Sequence, residues 1–186
     1  MSISAPRWDL SNVYPSLDSN EFKAAVEDYK KKVAALEKFF KNKFSKAGPK
    51  TKASELAPLV GKAIDQINTI QSLSATIVPF IYSYVTTDSR DKLAMKTLSE
   101  FEQASLPMSQ LLTQFTAWVG KLASKLDPVV KADKTAKAHE FMVFSWKYSL
   151  FYRKYKRASR TGKPAFASGY VVHILIRGLS NKCRTS

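Results

Sequence analysis

Cysteine, glycine and proline are scarce in this chain of 186 residues, which contains one, six and eight of them respectively. The single cysteine, Cys183, excludes an internal disulfide and fits a reducing compartment. The segment from Met1 to Trp8 has no basic region followed by an apolar core, so we read no signal peptide there. No apolar stretch reaches the ~20 residues that are needed to cross a bilayer. We therefore expect a cytoplasmic protein with long helices rather than a turn-rich or disulfide-stapled one.

Carboxylates are absent from the last quarter of the chain. All fifteen acidic residues lie at or before Glu140, together with twenty lysines and arginines, which leaves a net charge of +5. The remaining 46 residues hold ten basic groups and no acid, and they supply the other +10 of the total of +15. Because a globular surface normally mixes both signs, this change in charge pattern needs its own explanation.

Apolar residues at helical spacing are the main pattern in residues 1–140, which contain all the acidic residues. Residues 54–85 and 89–124 each carry one apolar stripe whose members lie three or four positions apart, and a polar turn at residues 86–90 joins them. This pattern predicts an antiparallel helical hairpin. Pro79 and Pro107 lie inside its arms, and they predict either paired kinks that curve the hairpin or breaks between shorter helices.

The segments around the hairpin are also predicted to be helical. An earlier helix begins at Asp18 or Ser19 and continues through apolar positions to Phe44, while the rings of the preceding entry segment cover the end of the bundle. Asp127 is the predicted N-cap of a further helix, and another runs from about residue 133 to Met142. The sequence thus predicts an all-α fold, an antiparallel bundle of long, partly kinked helices with a poorly defined basic, aromatic C-terminal tail.

Residues with the chemistry of a catalytic or metal site are few. His139-Glu140 begins the H-E-x-x-H pattern of a zinc peptidase helix, but Val143 stands where the second histidine is required. His173 lies in a β-branched run from Gly169, which predicts a strand without a partner, and Cys183 lies among polar residues near the end. We therefore assign no catalytic, cofactor-binding or metal-binding residue in this chain.

Aromatic and basic side chains alternate in residues 148–163. A second hypothesis follows, in which a small basic protein contacts nucleic acid or an anionic membrane through this segment. Its cations would meet phosphates and two of its tyrosines would stack on bases. The residues concerned are Arg153, Lys154, Lys156, Arg157, Arg160, Tyr152 and Tyr155.

Three stretches resemble the amino-terminal region of the oligoendopeptidase F family of thimet-type zinc metallopeptidases. Residues 8–19 read WDLSNVYPSLDS, similar to that family's opening, and they precede a long helix. The resemblance continues through residues 59–62, which read LVGK, and 84–89, which read YVTTDS. It covers residues 6–142 in all.

The resemblance implies a helical lobe that forms part of the wall of a deep cleft, which admits short, unfolded peptides in the family. Zinc and its H-E-x-x-H ligands would belong to a separate catalytic lobe, so no site residue is carried over to this chain. We expect residues 1–142 to be this lobe and to lack peptidase activity alone, with the missing catalytic lobe as its partner. Residues 143–186 depart from the family pattern, and their loss of acids suggests a frameshifted or truncated reading frame.

Overall fold

The computed structural model describes residues 9–122 and 125–145, and all regular elements in these ranges are helical. Five α-helices lie wholly within these ranges, the first continues directly into a π-helical segment, and residues 140–145 are also helical. The predicted all-α fold is therefore confirmed. The elements are α1 (Asn20–Phe39), the π-helical segment (Phe40–Phe44), α2 (Ala53–Thr87), α3 (Lys92–Lys121), α4 (Leu126–Ala132) and α5 (Lys134–Ala138).

Polar side chains fix where the long helices begin. Ser19 is the N-cap of α1, because its hydroxyl accepts a hydrogen bond from the Phe22 N–H at 3.2 Å. Asp91 caps α3 in the same way, and its Oδ1 accepts from the N–H groups of Leu93 and Ala94 at 2.9 and 3.0 Å. Of the two starting points that the sequence offered for α1, the structure selects Ser19.

Helices α2 and α3 form the predicted hairpin, and the chain reverses between Asp88 and Asp91. Helix α2 runs without interruption through Pro58 and Pro79, and α3 does so through Pro107. The interpretation of Pro79 and Pro107 as breaks between shorter helices is therefore wrong. The side chains of both prolines are exposed, and buried neighbours such as Phe80 keep the helix packed on the core despite the missing donor.

Helix α2 lies at the centre of the bundle, and α1, α3, α4 and α5 all pack against it. Helices α1 and α3 run parallel to each other, since the first halves of both line one groove and their second halves line another. The predicted role of Tyr14 in the entry segment is confirmed, because its ring packs edge-on against Phe22 and Phe80 at 5.5 and 5.0 Å. Trp8, the other ring expected to cover the end of the bundle, lies outside the described residues. The most deeply buried side chains include Leu36, Leu56, Val60, Ile64, Ile77, Ile81, Leu122 and Leu126.

The last described helices differ from the prediction. Helix α4 begins at Leu126 with Lys125 as its N-cap, so the assignment of Asp127 as N-cap is wrong; Asp127 lies in the first turn instead. The single helix expected from residue 133 to Met142 is divided at His139, where α5 ends before residues 140–145 turn helical again. None of the helices in the described ranges has the length and hydropathy needed to span a membrane.

Candidate functional site

His139 lies beside α2, where its ring is hydrogen-bonded to a side chain 71 residues away. The distance between Asn68 Nδ2 and His139 Nε2 is 3.0 Å, and both residues are half-buried. This hydrogen bond holds His139 against α2.

This bond belongs to a polar contact line between α2 and α5, which we call the α2–α5 seam. Gly61, Asp65 and Asn68 lie one helical turn apart and face the residues around α5. Asp133 Oδ1 accepts from the Ala136 N–H at 2.8 Å, and its carboxylate packs against Gly61. The seam is completed by the 3.5 Å bond from Thr135 Oγ1 to Asp65 Oδ2. Its hydrogen bonds position α5, and the described residues of the seam include no aligned nucleophile and base.

The described residues include no candidate metal site, and the other residues that the sequence singled out lie outside them. Within residues 9–122 and 125–145, no three side chains of the His, Cys, Asp or Glu type form a group that could hold a metal ion. His173, Cys183, the strand predicted from Gly169 and the basic aromatic segment 148–163 lie outside the described residues.

Two grooves follow the line of contact between α1 and α3, which we call the α1–α3 seam. The first, the aromatic groove, has a volume of about 470 Å³. The second, the charged groove, has a volume of about 450 Å³. Side chains lining the aromatic groove include Phe40, Phe44, Gln110, Leu111, Gln114, Phe115 and Trp118. Side chains lining the charged groove include Asp18, Lys23, Glu27, Lys30, Lys96 and Glu100.

Ring contacts give the aromatic groove a fixed shape. The centroids of Phe44 and Trp118 are 4.3 Å apart with the rings edge to face, and Phe40 and Phe115 are 5.5 Å apart. Trp118 Nε1 donates to the Ala47 carbonyl oxygen at 2.8 Å, which ties α3 to the loop after the π-helical segment. The groove therefore has an apolar floor of closely packed rings.

An ion pair and a buried tyrosine lie along the remainder of the α1–α3 seam. Lys30 Nζ lies 2.7 Å from Glu27 Oε1, and this hydrogen bond together with the lysine charge lowers the pKa of Glu27 from its ordinary value. Between the grooves the Tyr29 ring packs against Phe101 at 4.9 Å, and burial raises the pKa of Tyr29. The α1–α3 seam thus offers apolar, amide and charged groups, a mixture suited to binding.

Sequence reasoning found the helices but missed both seams. The stripe from Phe22 to Phe44 indicated which residues of α1 face inward, yet the gap along α3 depends on how two helices pack. The α2–α5 seam did have a faint signal in Gly61, a glycine inside a helical pattern, which marks a close approach.

Comparisons with known proteins do not identify the chain: no family model, no curated protein and no solved structure matches it. The resemblance to the oligoendopeptidase F family stays a prediction.

Proposed function

We propose that residues 1–142 form the amino-terminal helical lobe of an oligoendopeptidase F-like zinc metallopeptidase, working in the cytoplasm. In this proposal the lobe lines a cleft for short, unfolded peptides, and a catalytic lobe supplies zinc and its ligands. The chain by itself does not hydrolyse peptides, because its sequence lacks the H-E-x-x-H pattern that holds zinc and activates water.

The observation that carries the proposal is the pair of grooves on the α1–α3 seam. Helix α1 has 20 residues and is therefore about 30 Å long. An extended peptide advances ~3.3 Å per residue, so about nine residues fit along this length. Gln110 and Gln114 can each donate and accept hydrogen bonds, as a peptide backbone requires, and the floor of Phe115 and Trp118 suits apolar side chains.

Reconstitution tests this function. The full chain is mixed with the separately produced catalytic lobe of an oligoendopeptidase F-type enzyme, zinc and a quenched fluorescent peptide. We expect hydrolysis to rise with the concentration of the chain, and no hydrolysis from the chain with zinc alone. Robust turnover by the chain alone, or no effect on the catalytic lobe, would contradict the proposal.

A pair of variants tests the role of the aromatic groove. Replacing Gln110 and Gln114 by alanine removes the amide groups, and we expect KM to rise in the reconstituted enzyme while kcat changes little. Gln103→Ala is the matched control, because Gln103 is an exposed residue of α3 outside both grooves. Equal KM values for the two variants would exclude the groove from peptide binding.

The charge of the C-terminal segment favours a second candidate function. Residues 141–186 hold ten basic groups and no acid, so segment 148–163 could hold nucleic acid or an anionic membrane by its cations. Glutamine in place of Arg153, Lys154, Lys156 and Arg157 should then weaken binding to either anion. Unchanged binding by this variant would eliminate the candidate.

A further inference from the structure

The described bundle has a basic end and an acidic remainder. The basic end comprises residues 38–62, 117–122 and 125–137, which carry twelve lysines and three acidic residues, a net charge of +9. The other described residues carry seven basic and twelve acidic groups, a net charge of −5. The net charge of the described bundle is therefore small, although its positive and negative charges are separated along its length.

Direct contacts bring the segments of the basic end together. Lys125 Nζ donates to the Thr51 carbonyl oxygen at 2.9 Å, which joins the start of α4 to the loop before α2. The bond from Trp118 to the Ala47 carbonyl brings the end of α3 to the same loop. Lysines as far apart in sequence as Lys38 and Lys137 thus lie on connected elements at one end of the molecule.

Most lysines of the basic end have no acidic partner among the described residues. Eleven of the twelve are exposed, and within the described ranges only Lys41 forms an ion pair, with Glu37 at 2.8 Å. Three lysines of the acidic remainder are paired: Lys30, Lys32 and Lys96 with Glu27, Asp28 and Glu100. The exposed lysines without an ion pair among the described residues are Lys38, Lys43, Lys46, Lys50, Lys52, Lys62, Lys121, Lys131, Lys134 and Lys137.

The residue types at the basic end select among anionic partners. Every cation there is lysine, which contacts phosphate as a point charge and lacks the planar fork that arginine uses to read guanine. Its partly exposed rings already pack against other side chains: Trp118 lies edge to face with Phe44, and Phe39 lies under Lys62. Stacking of unpaired bases is therefore poorly supported at this end.

An anionic membrane is also a poor match for the basic end. Peripheral membrane binding combines basic groups with apolar side chains that enter the lipid. The exposed large apolar side chains of the described residues all lie elsewhere, and they are Val13, Tyr82, Leu93, Met95, Leu106 and Phe141. A partner that presents phosphates at high density and requires neither insertion nor stacking fits best.

We propose that the basic end binds the phosphate backbone of double-stranded nucleic acid without regard to sequence. A duplex carries one negative charge per ~1.7 Å of its axis, so several lysines of one surface can meet phosphates together. The acidic remainder is repelled by the same charges, which orients the bundle with its basic end toward the duplex. This inference is independent of the peptidase proposal and of segment 148–163.

Fluorescence anisotropy with a labelled DNA duplex and the full chain tests the inference. For about four phosphate contacts, raising the salt concentration fourfold, from about 50 to 200 mM, should weaken binding about 100-fold. Scrambling the sequence of the duplex should leave the affinity unchanged.

Three charge-matched variants locate the surface. Glutamine in place of Lys43, Lys46, Lys50 and Lys52 should weaken binding at least tenfold and flatten the salt dependence. The same number of substitutions at Lys23, Lys30, Lys31 and Lys92, on the acidic remainder, should change affinity less than threefold. Glutamine in place of Lys121, Lys131, Lys134 and Lys137, on α3, α4 and α5, should weaken binding as the first variant does. Circular dichroism checks that each variant is helical.

Several results would overturn the inference. One is a loss in the acidic-remainder variant equal to that in the basic-end variants. Another is a loss confined to the variant of Arg153, Lys154, Lys156 and Arg157, which would place binding in segment 148–163. Binding to phosphatidylserine vesicles but not to the duplex would assign the surface to lipid instead, and an unlabelled single strand that competes better than the duplex would also contradict it.

Discussion

The carboxylate of Asp133 packs directly against the backbone of Gly61, at the point where the α4–α5 junction meets α2. A Cβ atom on Gly61 would overlap all three terminal atoms of this carboxylate, so only glycine leaves room for it. The carboxylate is held there because Oδ1 caps α5 through the Ala136 N–H. Because Gly61 has no side chain, there is room both for the Asp133 cap of α5 and for the packing of the α4–α5 junction on α2.

Gly61→Ala should destabilise the protein by about 1–3 kcal/mol, because the new methyl group forces the cap or the helix junction to move. This cost outweighs the gain of up to ~1 kcal/mol that alanine brings to a helix interior. Urea unfolding followed by circular dichroism measures the difference. Gly48→Ala is the control, since a Cβ at that position would have no described atom within 4 Å apart from those of Gly48 and its two chain neighbours. Equal effects of the two substitutions would show that the contact has no energetic role.

Ser19→Ala should cost about 1 kcal/mol, because the first turn of α1 loses the acceptor for the Phe22 N–H. Asp18→Ala should have little effect, since Ser19 and not Asp18 provides the cap. The two variants are compared by thermal unfolding. A larger loss from the Asp18 substitution would show that the cap is assigned to the wrong residue.

Pro79→Ala should stabilise the protein by about 1–3 kcal/mol, because it returns a backbone donor to the Ala75 carbonyl and removes a clash with the preceding turn. The exposed side chain of Pro79 contributes little to the core, so little packing is lost. Chemical denaturation of the variant beside the parent chain measures the gain. A loss of stability would mean that the local shape imposed by proline is needed for packing against α3.

Tyr29 should make the protein less stable in alkali. Burial raises the pKa of Tyr29 above its ordinary value of 10.0, so above about pH 10 the unfolded chain releases the phenolic proton while the folded chain keeps it. Stability therefore falls as pH rises in this range. Between about pH 8 and pH 10.5, Tyr29→Phe should lose less unfolding free energy than the parent chain.

The matched control for this titration is Tyr82→Phe, because Tyr82 is an exposed tyrosine of α2. Its loss of stability with pH should follow that of the parent chain. The same alkaline loss in all three proteins would exclude Tyr29 as a source of the effect.

The hairpin of α2 and α3 was predictable to within three residues at each end, because its apolar stripes persist over many turns and a polar turn separates them. The continuity of α2 through Pro79 was not predictable, because one lost hydrogen bond must be weighed against the burial of many side chains. The start of α4 was misassigned because Asp127 is a good N-cap by type, whereas the structure places it one position inside the helix.

The candidate sites were less predictable than the helices. The bond between Asn68 and His139 joins residues 71 positions apart, and nothing in either local sequence indicates the other. The grooves of the α1–α3 seam arise from the packing of helices that are not neighbours in sequence. The separation of charge along the bundle was also hidden, because distant lysines meet only after the chain reverses twice.

The π-helical segment indicates a position at which one residue can be deleted without separating the rings that pack there. Phe39 and Phe44 lie five positions apart, yet their rings meet edge to face at 5.6 Å, as the wider spiral of this segment allows. Deleting the exposed Asn42 would place the two rings four positions apart, the spacing at which side chains meet on a regular α-helix. We therefore expect the loss of one amino acid here to leave the same phenylalanines in contact, and natural insertions and deletions along α1 and the π-helical segment to concentrate at this turn.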